Sequence, residues 1–96
     1  MPQATRIGDC DTGHDACPGT ALVGASPDVY VNGRALGRVG DPYTAHGCIV
    51  HPPHTAHIAS GSSTVYVNGI PAGRIGDSID CGGSVAEGSD NVSIGG

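Results

Sequence analysis

Two stretches of this 96-residue chain, SPDVYVNGRALGRVGD at 26–41 and SSTVYVNGIPAGRIGD at 62–77, are near copies set thirty-six residues apart, Val29 to Val65. A chain that repeats itself at so short a period is assembled from small units, none of which buries its apolar face alone. A third copy is split between the two ends. GSDNVSIGG (88–96) resembles GSSTVYVNG (61–69), while RIGD (6–9) echoes RVGD (38–41) and RIGD (74–77). Read circularly, one domain over residues 1–96 holds three units, approximately 6–31, 38–67 and 74–94. Each unit runs from an Arg-x-Gly-Asp turn through a variable loop to a Ser-x-x-Val strand.

Within each VYVNG copy the residues alternate with period two and end on Asn-Gly, a dipeptide that tolerates positive φ at both central positions of a type I′ turn. Strands are expected at Val29 to Val31 and Val65 to Val67, turning at Asn32-Gly33 and Asn68-Gly69 into RALGRV and IPAGRI. Gly or Pro interrupts every window before two amphipathic helical turns accumulate, so no helix is expected. Because a single hairpin is marginal alone, three similar units are most simply packed about a pseudo-threefold axis. The predicted fold is therefore a small all-β spike of short strands and hairpins. The Gly-Asp pairs at 8–9, 40–41 and 76–77 mark equivalent corners, the aspartates accepting bonds from nearby backbone N–H groups rather than serving as catalytic carboxylates.

The core of such a fold is thin. The chain has no Phe or Trp, and its aromatic residues are Tyr30, Tyr43 and Tyr66. Chains this short on bulky residues are held by disulfides, a structural metal or a partner surface. A formal charge of −5, with no lysine, has the wrong sign for neutralising phosphates, which argues against nucleic acid and anionic membrane surfaces. The start, MPQATRIGDC, has neither the basic end nor the apolar run of a secretory signal, and no stretch is long and apolar enough to span a membrane. Folding in the cytoplasm is the expectation, where cysteines mixed with histidines are more often metal ligands or free thiols than disulfides.

The variable loops carry the chemistry. After each Gly-Asp corner stands a nitrogen or sulfur donor at nearly constant distance: His14 after Asp9, His46 after Asp41, Cys81 after Asp77. Three units around one axis bring these donors together at one end, and a tetrahedral structural zinc needs one more. The second loop, HGCIVHPPHTAH at 46–57, offers His51, His54 and His57, of which His57 lies closest to the following strand. Cys10, Cys17 and Cys48 read as small, partly buried residues; a Cys10–Cys17 disulfide after export and a place in the metal shell are the alternatives. A Cys48–His46 thiol pair lacks an orienting group and an oxyanion hole.

These residues resemble the PAAR-repeat proteins, which form the sharpened tip of the type VI secretion spike and whose relatives cap contractile phage tail spikes. The motif appears as Pro71-Ala72-Gly73-Arg74 and, more loosely, as Ala35-Leu36-Gly37-Arg38, each between a VYVNG strand and a GD turn. In both, glycine replaces the motif's second alanine. The likeness runs from Arg6 to Gly96 and includes the DCGG segment at 80–83. It implies a cone whose blunt base docks on a trimeric VgrG-type spike, one tip per trimer, and whose apex is pinned by zinc. The matching ligands are His14, His46 and Cys81, with His54 as the fourth and His51 standing where a cysteine is common. It further implies a non-enzymatic structural protein that is loaded in the cytoplasm, leaves with the spike, touches the target membrane only in passing, and delivers effectors carried separately or through adaptors. The equivalent phage tail tip, a small zinc-dependent hydrolase and a free-standing peptide-binding zinc module are the competing readings.

Overall fold

The computed structural model describes residues 1–12, 19–44, 55–80 and 82–96. Among them there is no helix. Regular structure consists of two antiparallel hairpins, β1 (Tyr30–Val31) with β2 (Arg34–Ala35), and β3 (Tyr66–Val67) with β4 (Ile70–Pro71). Tyr30 pairs with Ala35 and Tyr66 with Pro71. Both turns are built as the sequence demands, with φ of 55° at Asn32 and 56° at Asn68, each followed by a glycine at 77°. The strands start one residue later than expected. The carbonyl of Val29 still accepts from Leu36 N, and that of Val65 from Ala72 N, but beyond Ala35 and Pro71 the returning strands leave their hairpins for neighbouring units.

The third corner is made by the two ends of the chain. Gln3 bridges Ser93, Ile94 N donates to Pro2 O, and Ala4 N donates to Val92 O at 2.9 Å. That last bond is the counterpart of Leu36 N to Val29 O and Ala72 N to Val65 O. The segments split between the ends of the sequence thus reunite as a third hairpin lacking its turn.

The units close on one another through cyclic sets of backbone bonds. Gly37 N donates to Thr5 O, Gly73 N to Gly37 O, and Thr5 N to Gly73 O, at 2.9, 2.8 and 3.2 Å. Around this ring Ile7 N donates to Ala35 O, Val39 N to Pro71 O and Ile75 N to Gln3 O. Two small apolar layers lie on either side. One holds Ala4, Leu36 and Ala72 with Val31, Val67 and Ile94; the other holds Leu22, Ile58 and Val85 with Tyr43, Ala56 and Ile79. The body measures 37 × 23 × 22 Å, longer than it is wide.

The ring explains the glycines of the motif. A Cβ on Gly37 would lie 2.7 Å from Leu22 Cδ2 and 2.9 Å from Thr5 Cγ2. At Gly73 the nearest atoms, Ile58 Cδ1, Thr5 Cγ2 and Gly37 O, stand at 3.1–3.2 Å. Thr5 already fills the axis. We expect Gly37→Ala to lower stability by about 1–3 kcal/mol through overpacking and Gly73→Ala by less. Thr5→Ser, which deletes the facing methyl, should recover part of the Gly37→Ala loss. Urea unfolding of the four proteins checks the order, and equal costs at the two glycines would refute it.

Candidate functional site

Each Arg-x-Gly-Asp corner is a closed clamp. The Asp9 carboxylate accepts from Arg6 N and Nε through Oδ2, both at 2.9 Å, and from Arg6 NH2 through Oδ1. Asp41 holds Arg38, and Asp77 holds Arg74, in the same way. The aspartates accept backbone N–H groups as expected from the sequence. Their two-pronged grip on the arginine three residues earlier was not anticipated, although the spacing is visible in all three copies. The clamp raises the pKa of each arginine above its ordinary value, the carboxylate bond outweighing the opposing effect of burial.

The clamps connect to the serines of the Ser-x-x-Val segments. Ser26, Ser62 and Ser89 are buried, and each Oγ accepts from the N–H groups two and three residues on. Asn68 Oδ1 accepts from Ser26 Oγ and Arg38 NH1, and Asn32 Oδ1 from Ser89 Oγ and Arg6 NH1. In the third unit, which lacks the asparagine, the Gly95 carbonyl accepts from Ser62 Oγ and Arg74 NH1. One symmetry-breaking side chain is Arg34, whose NH2 adds a second guanidinium to Asp9 at 3.0 Å. The groove there, about 490 Å³ and lined by Arg6, Asp9, Arg34 and Glu87 among others, has several of its charges paired: Asp9 with both arginines, and Glu87 with the Cys10 N–H.

Beyond the corners the segments 9–12, 41–44 and 77–80 interlock with neighbouring units. Thr12 N donates to Ser84 O, Thr44 N to Ala21 O and Asp80 N to His57 O, so each unit is tied to a neighbour just before its variable loop begins. His57 adds a ring contact, Nδ1 to Asp80 Oδ2 at 3.0 Å, and its N–H donates to Asp80 Oδ1. His57 is thereby a stem residue, bridged to Pro42. The ligand candidates His14, His46, His54 and Cys81 lie outside the described residues, as do His51, Cys17 and Cys48. Among the described residues, no group of three or more His, Cys, Asp or Glu is arranged to hold a metal ion. Cys10 carries a free thiol and is half-buried.

Directly below the stems, two residues past each corner, stand Asp11, Tyr43 and Ile79. All three are buried, Tyr43 to 1% exposure and Asp11 to 5%. Asp11 Oδ1 accepts from Thr20 N at 3.0 Å. The Tyr43 hydroxyl has no hydrogen-bond partner among the described residues. Burial, with the Asp11 and Asp9 carboxylates adding to it, holds the phenol well above its ordinary value of 10.0. Burial also raises the Cys10 thiol above 9.0, helped by contact with Glu87.

Both acids hold their protons to higher pH in the folded chain than in the unfolded one. Their contribution is fully present below the ordinary values and is lost as pH rises, where only the unfolded chain ionises. Urea midpoints should hold level to about pH 8.5 and fall from roughly pH 9 upward. Tyr43→Phe should remove the part of that fall that lies above about pH 10. A wild-type midpoint that stays flat to pH 11 would count against it.

Hairpins, circular closure and Arg-x-Gly-Asp corners of this kind agree with a comparison of the sequence against known families, in which the PAAR motif family matches residues 12–87. The chain is a PAAR-motif protein. No curated protein matches it. The Pro-Ala-Gly-Arg segment now has a structural meaning: Ala72 sits in the core layer, Gly73 in the axial ring, and Arg74 in a corner clamp. Membership in the PAAR family supports a structural role of the spike-tip type, in association with a spike complex, rather than an enzymatic one.

Proposed function

We propose that this PAAR protein is the zinc-pinned tip that caps and sharpens the trimeric spike of a type VI secretion system. The observation that carries the reading is the cyclic Thr5–Gly37–Gly73 ring, through which one polypeptide presents three matched units around an axis. Such a body is suited to sit on a threefold partner at one tip per trimer, and its three unlike loops can close a point that three identical chains would close less readily. The hairpin end supplies the docking surface: Tyr30, Tyr66 and Met1 are exposed there at 60%, 57% and 85%, and aromatic residues of this kind anchor interfaces.

At the opposite end the donor chemistry fits zinc. Three imidazoles and one thiolate would make a closed tetrahedral set, and in the sequence these donors follow the corners whose stems interlock with neighbouring units. His14, His46, His54 and Cys81 would hold the ion, which would crosslink the loops and supply no reaction. On this reading the tip is loaded in the cytoplasm, leaves with the spike, passes through the target membrane and brings along effectors bound to the spike or to adaptors. Co-expression with a VgrG-type spike protein tests it. The expected complex contains one PAAR chain per spike trimer by native mass spectrometry, and a chain that stays monomeric beside its cognate spike overturns the assignment.

A further inference from the structure

We infer that the tip is held on its spike by strand addition: one strand from each of the three spike chains pairs, backbone to backbone, with an open strand edge at Tyr30, Tyr66 or Ser93. The inference rests on the spike-tip reading above and adds how the threefold partner is gripped.

The edges follow from the register of the hairpins. Bonding in an antiparallel pair alternates, so a residue between two bonded pairs turns its N–H and C=O away from the partner strand. Val31 closes the first turn opposite Arg34, and Leu36 N returns to Val29 O. Tyr30 lies between them. Tyr66 stands likewise between the Val67–Ile70 pair and the bond from Ala72 N to Val65 O. In the hairpin made by the two ends of the chain, Ser93 lies between the bonds from Ala4 N to Val92 O and from Ile94 N to Pro2 O. The backbone groups of all three residues therefore face outward, and nothing among the described residues bonds to them. The returning strands have no such gap, because Ala35 O, Pro71 O and Gln3 O accept from the N–H groups of Ile7, Val39 and Ile75. Each hairpin is satisfied on one side and open on the other.

Exposure agrees with this. Tyr30 is 60% exposed and Tyr66 57%, and Ser93 is exposed as well. Open edges are ordinarily guarded by a charge or a proline within the strand, and residues 29–31, 65–67 and 92–94 contain neither.

The number of edges selects the occupant. A second copy of this chain laid against one edge leaves the other two unpaired. Three identical strands of a trimer fill all three together, and short edges that gain little one at a time bind well in concert. Backbone pairing also resolves a mismatch of symmetry. Identical spike chains meet units that carry Tyr, Tyr and Ser at the equivalent position, and what those positions share is their main chain, the part that strand addition reads.

Ser93 gives the sharpest test, since it has no aromatic side chain to lose. Ser93→Pro deletes the outward N–H and leaves the bonds within the hairpin in place, and Ser93→Ala is its control. Calorimetric titration onto the cognate trimeric VgrG-type spike should place Ser93→Ala within about twofold of wild type and Ser93→Pro weaker by about tenfold or more. In the wild-type chain alone, the Tyr30, Tyr66 and Ser93 amides should exchange freely with solvent, and in the complex they should slow by at least about tenfold. This second measurement decides by itself should Ser93→Pro fail to fold. A complex in which the three amides still exchange freely, or in which Ser93→Pro binds as tightly as Ser93→Ala, overturns strand addition and leaves the spike-tip reading standing. Protection that grows with the concentration of the chain alone, and that the spike does not increase, assigns the edges to a second copy and overturns it too. A chain that forms no complex with the spike overturns both readings.

Discussion

Stripping zinc from the loaded protein with a chelator is expected to cost at least about 4 kcal/mol of stability, because the binding free energy of a structural zinc is largely folding free energy. For a domain of this size that is a fall of roughly 15–30 °C in Tm. The loss should be uneven along the axis. The layer of Ala4, Leu36, Ala72, Val31, Val67 and Ile94, and the Thr5–Gly37–Gly73 ring beside it, are closed by the chain's own bonds. Amides of that part, Gly37 and Gly73 among them, should keep their protection against hydrogen exchange in the metal-free protein. The stem amides of Thr12, Thr44 and Asp80 should exchange far faster, since on the zinc reading theirs are the last described bonds before the loops that the metal would gather. Metal-free and zinc-loaded samples that melt within 2 °C of each other, with metal content verified, would sink the zinc pin; a uniform loss of protection from base to apex would show instead that ring and core do not stand without it.

How far the sequence anticipated this arrangement depends on the range of the interaction involved. The hairpins were readable because Asn-Gly fixes a turn by local backbone preference alone, and the positive φ angles at Asn32 and Asn68 follow from it. Circular closure was readable because RIGD at one end and NVSIGG at the other are halves of a repeated unit, and Gln3 does bridge Ser93. The corner aspartates were foreseen as acceptors for backbone N–H, a contact confined to four residues. The arginine that completes each clamp was present in the same motif. What makes it an inward-facing partner is the burial of its guanidinium beneath the hairpin asparagine or the Gly95 carbonyl, supplied from elsewhere in the chain. The burial of Tyr43 is not legible in the sequence for the same reason. Nothing in DPYTAH marks a tyrosine as buried until Leu22 and Ile58 are known to pack on it.

Replacing one corner carboxylate should have the largest effect of any single substitution among the described residues, about 3–5 kcal/mol for Asp77→Ala. The Arg74 side chain is only 12% exposed. Its backbone N–H and Nε converge on Asp77 Oδ2 at 2.7 and 3.1 Å, and NH2 reaches Oδ1 at 3.0 Å. Deleting the carboxylate strands a charge and several donors where water cannot replace it, a different matter from losing a surface ion pair. Asp41→Ala should match it, since Arg38 is held in the same geometry at 14% exposure. Arg34→Ala, by contrast, removes a guanidinium that is 40% exposed and whose partner Asp9 keeps Arg6; the expected cost is within about 1 kcal/mol. Asp77→Asn should fall between, because the amide accepts through one atom only and turns its NH2 toward the guanidinium. Raising salt should close none of the gap for Asp77→Ala, as buried pairs are poorly screened. Urea denaturation of the four variants at low and high ionic strength gives the ranking. Should Asp77→Ala cost no more than Arg34→Ala, the clamps would be surface ornaments, and the arginine that ends the Pro-Ala-Gly-Arg segment would lose the structural reason assigned to it.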